Sequence, residues 1–68
     1  MTLKILVSLV HRALQSECFT DVVEQTGLAE STVSRWRKRP PAEPSAKVLK
    51  LLCQYLGFST YFNQLEIA

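Results

Sequence analysis

Four basic side chains crowd into five consecutive positions of the segment STVSRWRKRP, residues 31–40: Arg35, Arg37, Lys38 and Arg39. Half of the eight Lys and Arg residues of the chain lie there, whereas its six acidic residues are scattered. An arginine can donate two parallel hydrogen bonds to the edge of a guanine, and neighbouring cations can hold phosphates. The alternative is a solvated helix end, because cations also favour the negative C-terminus of a helix.

The spacing of residues 30–39 predicts a helix with two unlike sides. At about 100° per residue, Val33 and Trp36 fall on one side and Leu28 leads into it, so we expect these three to pack on a core. The opposite side carries two small hydroxyl groups and two cations: Ser31, Ser34, Arg35 and Lys38. The two flanks carry the other polar residues, Glu30 with Arg37 and Thr32 with Arg39. Small side chains near the helix start would let this side sit deep in a groove.

Apolar residues at helical spacing predict an all-α chain whose other helices position this segment. Residues 3–14 carry one such stripe, from Leu3 and Leu6 to Leu14, which Ile5 and Leu9 widen. Others run through residues 46–56 and residues 61–65, where Tyr61, Phe62 and Leu65 belong either to the core or to a dimer interface. We therefore expect a compact five-helix bundle forming one domain, residues 1–68, with helices at about 2–16, 20–26, 30–39, 46–56 and 60–66.

Glycines, prolines and hydroxyl residues mark the expected helix ends. Gly27 and Gly57 tolerate positive φ and end the second and fourth helices. Pro40 and Pro41 lack N–H groups and end the third. The expected N-caps are Thr20, Ser45 and Ser59, while the start of the third helix stays open between a poor cap, Ala29, and a better one, Ser31.

Length, charge and composition exclude several classes of protein. The chain has 68 residues, a net charge of +2 and 47% hydrophobic residues, which fits one small globular domain. With His11, Cys18 and Cys53 as its only histidine and cysteines, we expect no metal and no cofactor, and two reduced, half-buried thiols. No nucleophile elbow, phosphate loop or paired-acid motif frames its Ser, His and Asp residues, so we expect no enzyme.

The pattern of the N-terminal segment MTLKILVSLV is not typical of a targeting or membrane segment. Its apolar run is too short, and His11 and Arg12 follow where a small-residue cleavage site would stand. No stretch approaches the roughly 20 apolar residues that span a bilayer. We therefore expect a soluble, cytoplasmic protein without a membrane partner.

Two segments resemble a known family. GLAESTVSRW, residues 27–36, and VLKLLCQYLGFSTYFNQL, residues 48–65, are similar to the Cro/lambda-repressor type of helix-turn-helix domain. Members typically show a glycine turn, then Ser-Thr-Ile/Val-Ser-Arg and an aromatic or aliphatic residue, a Pro-Ser loop and a leucine-rich helix that ends in Leu-Gly. The resemblance covers about residues 3–66 and implies the five-helix fold, sequence-specific binding of double-stranded DNA and a symmetric dimer.

The resemblance also implies roles for individual residues. The base-reading positions lie three, four and eight residues after the turn glycine, at Glu30, Ser31 and Arg35, and the flank adds Thr32. Phosphate contacts at the start of the second helix and after the third match Thr20, Lys38 and Arg39, to which the exposed side of the third helix adds Ser34 and its flank adds Arg37. The expected structural core of the motif is formed by Val23, Gly27, Leu28, Val33 and Trp36.

Two positions and one loop depart from the pattern of this family. Val23 replaces the usual small alanine where the two helices cross, so the helices could sit slightly farther apart. Phe19 replaces a common glutamine at the start of the second helix and cannot bind a phosphate. The loop after the third helix is proline-rich and about one residue longer. None of these changes removes the exposed side of the third helix.

These observations favour a small Cro-like transcriptional regulator that reads the major groove with its third helix. We expect a repressor of phage or mobile-element origin, which binds a palindromic operator as a homodimer and takes no small-molecule ligand. The alternative is a protein-interaction module, such as an antitoxin or an inhibitor, that uses the same fold with a protein partner.

Overall fold

The computed structural model describes residues 2–65, and these form five α-helices and no strand. The helices are α1 (Leu3–Leu14), α2 (Phe19–Thr26), α3 (Glu30–Lys38), α4 (Ala46–Leu56) and α5 (Ser59–Asn63). Helix α1 packs on α3 and α4, α2 packs on the same two helices, and α5 packs on α4. The predicted all-α five-helix bundle is confirmed.

One apolar core lies between the first four helices. Four of its residues come from α1 at spacings of one, three and four, the period that keeps them on one side of a helix. Each fully buried aliphatic side chain there contributes roughly 1.5–3 kcal/mol. The buried residues of the core are Leu6, Val7, Val10, Leu14, Val22, Val33, Trp36, Leu49, Leu52 and Cys53.

Two of the expected N-caps are wrong by one or two residues. Helix α2 begins at Phe19 with Cys18 at the N-cap, so Thr20 is an exposed residue inside the first turn. Helix α5 begins at Ser59 itself, with Phe58 at the N-cap. In both cases a phenylalanine at the helix start packs against the core, and this burial outweighs the weaker preference of a hydroxyl residue for the cap position.

Other helix ends differ by smaller amounts. Ser45 does occupy the N-cap of α4, without a side-chain capping hydrogen bond, whereas the Thr2 hydroxyl caps α1 by accepting from the Ile5 N–H at 3.3 Å. Helix α1 ends at Leu14 rather than residue 16, because the next N–H groups turn back to carbonyls three residues earlier. Helix α5 ends at Asn63, and the expected continuation to residue 66 lies partly outside the described residues.

The apolar residues of α1 and of the α5 region differ in how far they are buried, and the buried stripe of α1 is shorter than its spacing predicted. Leu3 and Ile5 are 47% and 53% exposed, so the buried stripe of α1 begins only at Leu6. On α5, Tyr61 is 41% exposed, while Phe62 and Leu65 are half-buried against the core. At the start of α1, Leu3 borders a cleft of about 520 Å³ that is also lined by Pro40, Pro41 and Pro44 of the loop after α3, so the loop lies beside Leu3 without burying it.

The two thiols are not alike, contrary to the prediction of two half-buried cysteines. Cys18 is exposed before α2, and Cys53 is buried in the core. Burial raises the pKa of the Cys53 thiol to about 11. Within residues 2–65, no group of three or more His, Cys, Asp and Glu side chains is placed to hold a metal ion. None of the described helices has the length and apolarity to cross a bilayer.

Candidate nucleic-acid interface

The turn between α2 and α3 is fixed by a glycine and a threonine. Gly27 adopts φ +72°, a conformation that costs a residue with a Cβ about 1–2 kcal/mol, and its N–H donates to the Val23 carbonyl at 3.0 Å. The Thr26 hydroxyl donates to the Val22 carbonyl at 2.6 Å and accepts from the Leu28 N–H at 3.3 Å. Sequence reasoning found the glycine but missed Thr26, whose hydroxyl joins the end of α2 to the turn.

The core anchors one side of α3. Val33 is fully buried and Trp36 is 4% exposed, while Leu28 and Val23 are half-buried against the same core. Because α3 packs on both α1 and α2, these contacts fix its rotation about its own axis. The polar side of the helix therefore faces away from the bundle.

The structure distributes the sequence-predicted site residues over different degrees of exposure. Glu30, Ser31 and Arg35 are exposed on α3, and Thr32 beside them is half-buried. At the helix end Lys38 and Arg39 are exposed, whereas Ser34 and Arg37 are half-buried. Ser34 was expected among the fully outward residues, so the side of α3 that is open to solvent is narrower than the helical wheel predicted.

Thr32 and Arg35 border a cleft of about 250 Å³ between α3 and the proline-rich loop. The loop side of this cleft contains Pro41, Glu43 and Pro44. The negative charge of the Glu43 carboxylate repels a phosphate inside the cleft. The same carboxylate is compatible with a base that presents a hydrogen-bond donor. Glu43 drew no attention in the sequence, because only the fold brings the loop beside Arg35.

Phe19 and Arg37 form a pair between the start of α2 and the end of α3. The guanidinium carbon of Arg37 lies 5.7 Å from the centre of the Phe19 ring, within cation–π distance. The phenylalanine thus holds a positive charge beside the first turn of α2. The departure from the family pattern at Phe19 removes one hydrogen-bonding side chain there and places a guanidinium at the same end of the helix.

Two side chains of α1 reach the C-terminal turn of α3. His11 Nδ1 lies 2.7 Å from the Trp36 carbonyl oxygen, and Gln15 Nε2 donates to the Arg37 carbonyl at 2.7 Å. Gln15 Nε2 also donates to the carbonyl of His11 at 3.1 Å. Neither residue was singled out for a role in the sequence, although their spacing of four places them on one side of α1.

The comparison with known families agrees with this geometry. The family model of the Cro/C1-type helix-turn-helix DNA-binding domain matches residues 18–60, well over half of the chain. The chain belongs to this family. The match runs from the N-cap of α2 to the first residues of α5, so it contains the turn, α3 and the proline-rich loop. Searches of curated proteins and of solved structures gave no significant match.

Membership of the Cro/C1-type family decides the kind of ligand, which is DNA, and makes the chain a DNA-binding regulator. The matched residues do not include His11 and Gln15, which lie in α1. The contacts of these two residues with α3 are therefore a feature of this chain that the family match does not describe.

Proposed function

We propose that this Cro/C1-type protein is a sequence-specific transcriptional repressor that reads the major groove of DNA with α3. The observation that carries the proposal is the division of α3 into two sides. Val33 and Trp36 fix the helix in the core, and the exposed side presents Ser31 and Arg35. A helix held in this way can enter the major groove as a rigid body, so little conformational entropy is lost on binding.

Four residues of α3 read the bases: Ser31 and Arg35 on its open side, and Glu30 and Thr32 on its flanks. Arg35 is exposed and long enough to donate two hydrogen bonds to guanine O6 and N7, so it contributes most to the sequence specificity of DNA binding. Glu30 accepts from cytosine N4, and the hydroxyl groups of Ser31 and Thr32 bond to adjacent base edges. The small side chains at the helix start let the backbone approach the groove.

Phosphate contacts set the register of the protein on DNA. Lys38 and Arg39 are exposed at the end of α3, and Arg37 is held over Phe19 beside the start of α2. Thr20, exposed in the first turn of α2, and the half-buried Ser34 add hydroxyl donors. These contacts supply affinity on any sequence, whereas the bases supply specificity.

A homodimer with two-fold symmetry would place two copies of α3 about one turn of DNA apart, roughly 34 Å. Such a dimer binds a palindromic operator, because each half-site meets the same residues. Repression then follows from occupation of the operator. The proposed role needs neither catalysis nor a cofactor.

The test is selection of DNA from a random pool, followed by titration of the enriched sequence across a salt series. Three cations per protomer, Arg37, Lys38 and Arg39, amount to six phosphate contacts in a dimer. The logarithm of the association constant should then fall against the logarithm of salt with a slope of about −5. Enrichment of a palindrome with this slope supports the proposal. An unenriched pool, with no binding even at low salt, overturns it.

A further inference from the structure

Two prolines remove two of the hydrogen-bond donors that a continuing helix would supply to the C-terminal turn of α3. The carbonyls of Trp36 and Arg37 would accept from the N–H groups of residues 40 and 41. Both of these residues are prolines, which have no N–H. Only the preceding carbonyl, that of Arg35, has its backbone partner, the Arg39 N–H at 3.1 Å. The sequence thus ends the helix sharply and leaves two adjacent acceptors without backbone donors.

Helix α1 supplies a donor to each of these two acceptors. A carbonyl oxygen only accepts, so His11 donates from Nδ1 to the Trp36 oxygen at 2.7 Å. The Gln15 amide donates one hydrogen to the Arg37 oxygen at 2.7 Å and the other to the His11 oxygen at 3.1 Å. We call these two side chains, together with the carbonyls of Trp36 and Arg37, the His11–Gln15 cap. Two prolines remove two donors, and two side chains one helical turn apart on α1 replace them.

We propose that His11 and Gln15 are positioning residues for DNA binding, which act by holding the last turn of α3 closed. Arg37 and Lys38 lie on this turn and Arg39 follows it directly. The effect on DNA affinity rests on the function proposed above. Without the cap, the last turn of α3 frays, and DNA binding must order these three cations before they contact phosphates.

The two hydrogen bonds do not contribute equally. The bond from His11 is partly buried, so its loss leaves a carbonyl that water reaches poorly. The bond from Gln15 is exposed, and water replaces it more easily. His11 is therefore the stronger of the two positioning residues, and Gln15 supports it by fixing the same turn and the carbonyl of His11.

The first half of the experiment measures the cap in the free protein by amide hydrogen exchange. The reporter is the Arg39 N–H, which closes the last turn of α3. We compare His11→Leu and Gln15→Met, which remove the donors, with His11→Asn, whose amide nitrogen stands near the place of Nδ1. Gln54→Met makes the same chemical change at an exposed position of α4 and serves as the control. Exchange at Arg39 should be about tenfold faster in His11→Leu and about threefold faster in Gln15→Met, with core amides unchanged.

The second half measures DNA affinity and its salt dependence on the selected operator. His11→Leu should bind about fivefold more weakly, with a salt slope smaller in magnitude by about one to two, because frayed cations make fewer phosphate contacts. His11→Asn should recover most of both losses. A substitution that only lowered global stability would change neither the slope nor the Arg39 amide selectively under conditions where the protein is folded.

Each outcome decides the inference. If wild-type protein binds the operator and His11→Leu keeps both the Arg39 protection and the salt slope, the positioning role is refuted while the proposed function stands. If wild-type protein binds no DNA, the proposed function fails and the positioning role fails with it, whatever the exchange rates. If His11→Leu does not fold, then Gln15→Met against Gln54→Met, with His11→Asn beside them, gives the answer on the same two readouts.

Discussion

Substitution of Gly27 by alanine measures how much stability depends on the left-handed backbone conformation at the turn between α2 and α3. Gly27 adopts φ +72°, yet a Cβ built on it meets nothing within 4 Å. The left-handed conformation costs a residue with a Cβ about 1–2 kcal/mol. Alanine also lowers the conformational entropy of the unfolded chain, and this stabilises the folded protein by about 0.4–1 kcal/mol. Because there is no clash to add, the net loss of stability should be about 1 kcal/mol. For a domain of this size, a loss of about 1 kcal/mol lowers the Tm by about 4–8 °C.

Gly57 provides a matched control for this prediction. It adopts φ +81° at the end of α4, and a Cβ there also meets nothing within 4 Å. Gly57→Ala should therefore lose the same amount, and Gly27→Asn should lose less, since asparagine tolerates this conformation better. Urea unfolding of the three variants measures the differences. A loss above about 3 kcal/mol at Gly27 alone, or no loss at either glycine, would refute the reasoning from φ and free space.

Other predictions follow from the buried side chains. Trp36→Ala should lower the free energy of unfolding by about 3–5 kcal/mol and leave the chain largely unfolded by circular dichroism, whereas Trp36→Phe should stay folded. A fully folded Trp36→Ala would contradict the burial of this residue. A thiol reagent should label exposed Cys18 in the native protein and reach Cys53 only at the rate of unfolding; equal labelling of both would contradict the structure. Burial raises the pKa of Cys53 from 9.0 to about 11, so its contribution to stability is complete below pH 9 and is lost as the pH rises through 11. The urea midpoint should therefore fall further between pH 8 and pH 10.5 in the wild type than in Cys53→Ala. Tyr55, whose pKa is also raised, titrates in both proteins, so the comparison removes its contribution. An equal fall in both proteins would contradict the role of Cys53.

The elements that the sequence predicted well are those that local chemistry decides. Gly27 and Gly57 both adopt positive φ at helix ends, and the prolines after Arg39 stop α3. The spacing of Val33 and Trp36 was enough to tell the buried side of α3 from its polar side. Each of these features depends on a few neighbouring residues, so one sequence taken alone reveals it.

The features that the sequence did not predict depend on contacts between distant residues. His11 meets Trp36 across 25 positions, and no local pattern announces that hydrogen bond. The paired prolines were a usable signal, because they show in advance that two carbonyls need donors from elsewhere. The wrong cap at Thr20 has a similar origin, since packing of Phe19 on the core set the start of α2.

The central claim is that Arg35 reads a base, and the most direct measurement is its discrimination among operators that differ at one base pair. Arg35→Lys keeps the charge but loses the geometry for two parallel hydrogen bonds. Lys50→Ala removes a charge on α4 beside Ser59 and Phe62 of α5. We predict that Arg35→Lys loses about 1–3 kcal/mol of discrimination at a single G·C pair and keeps the salt slope, while Lys50→Ala keeps its discrimination. Unchanged discrimination in both Arg35→Lys and Arg35→Ala would contradict base reading by Arg35.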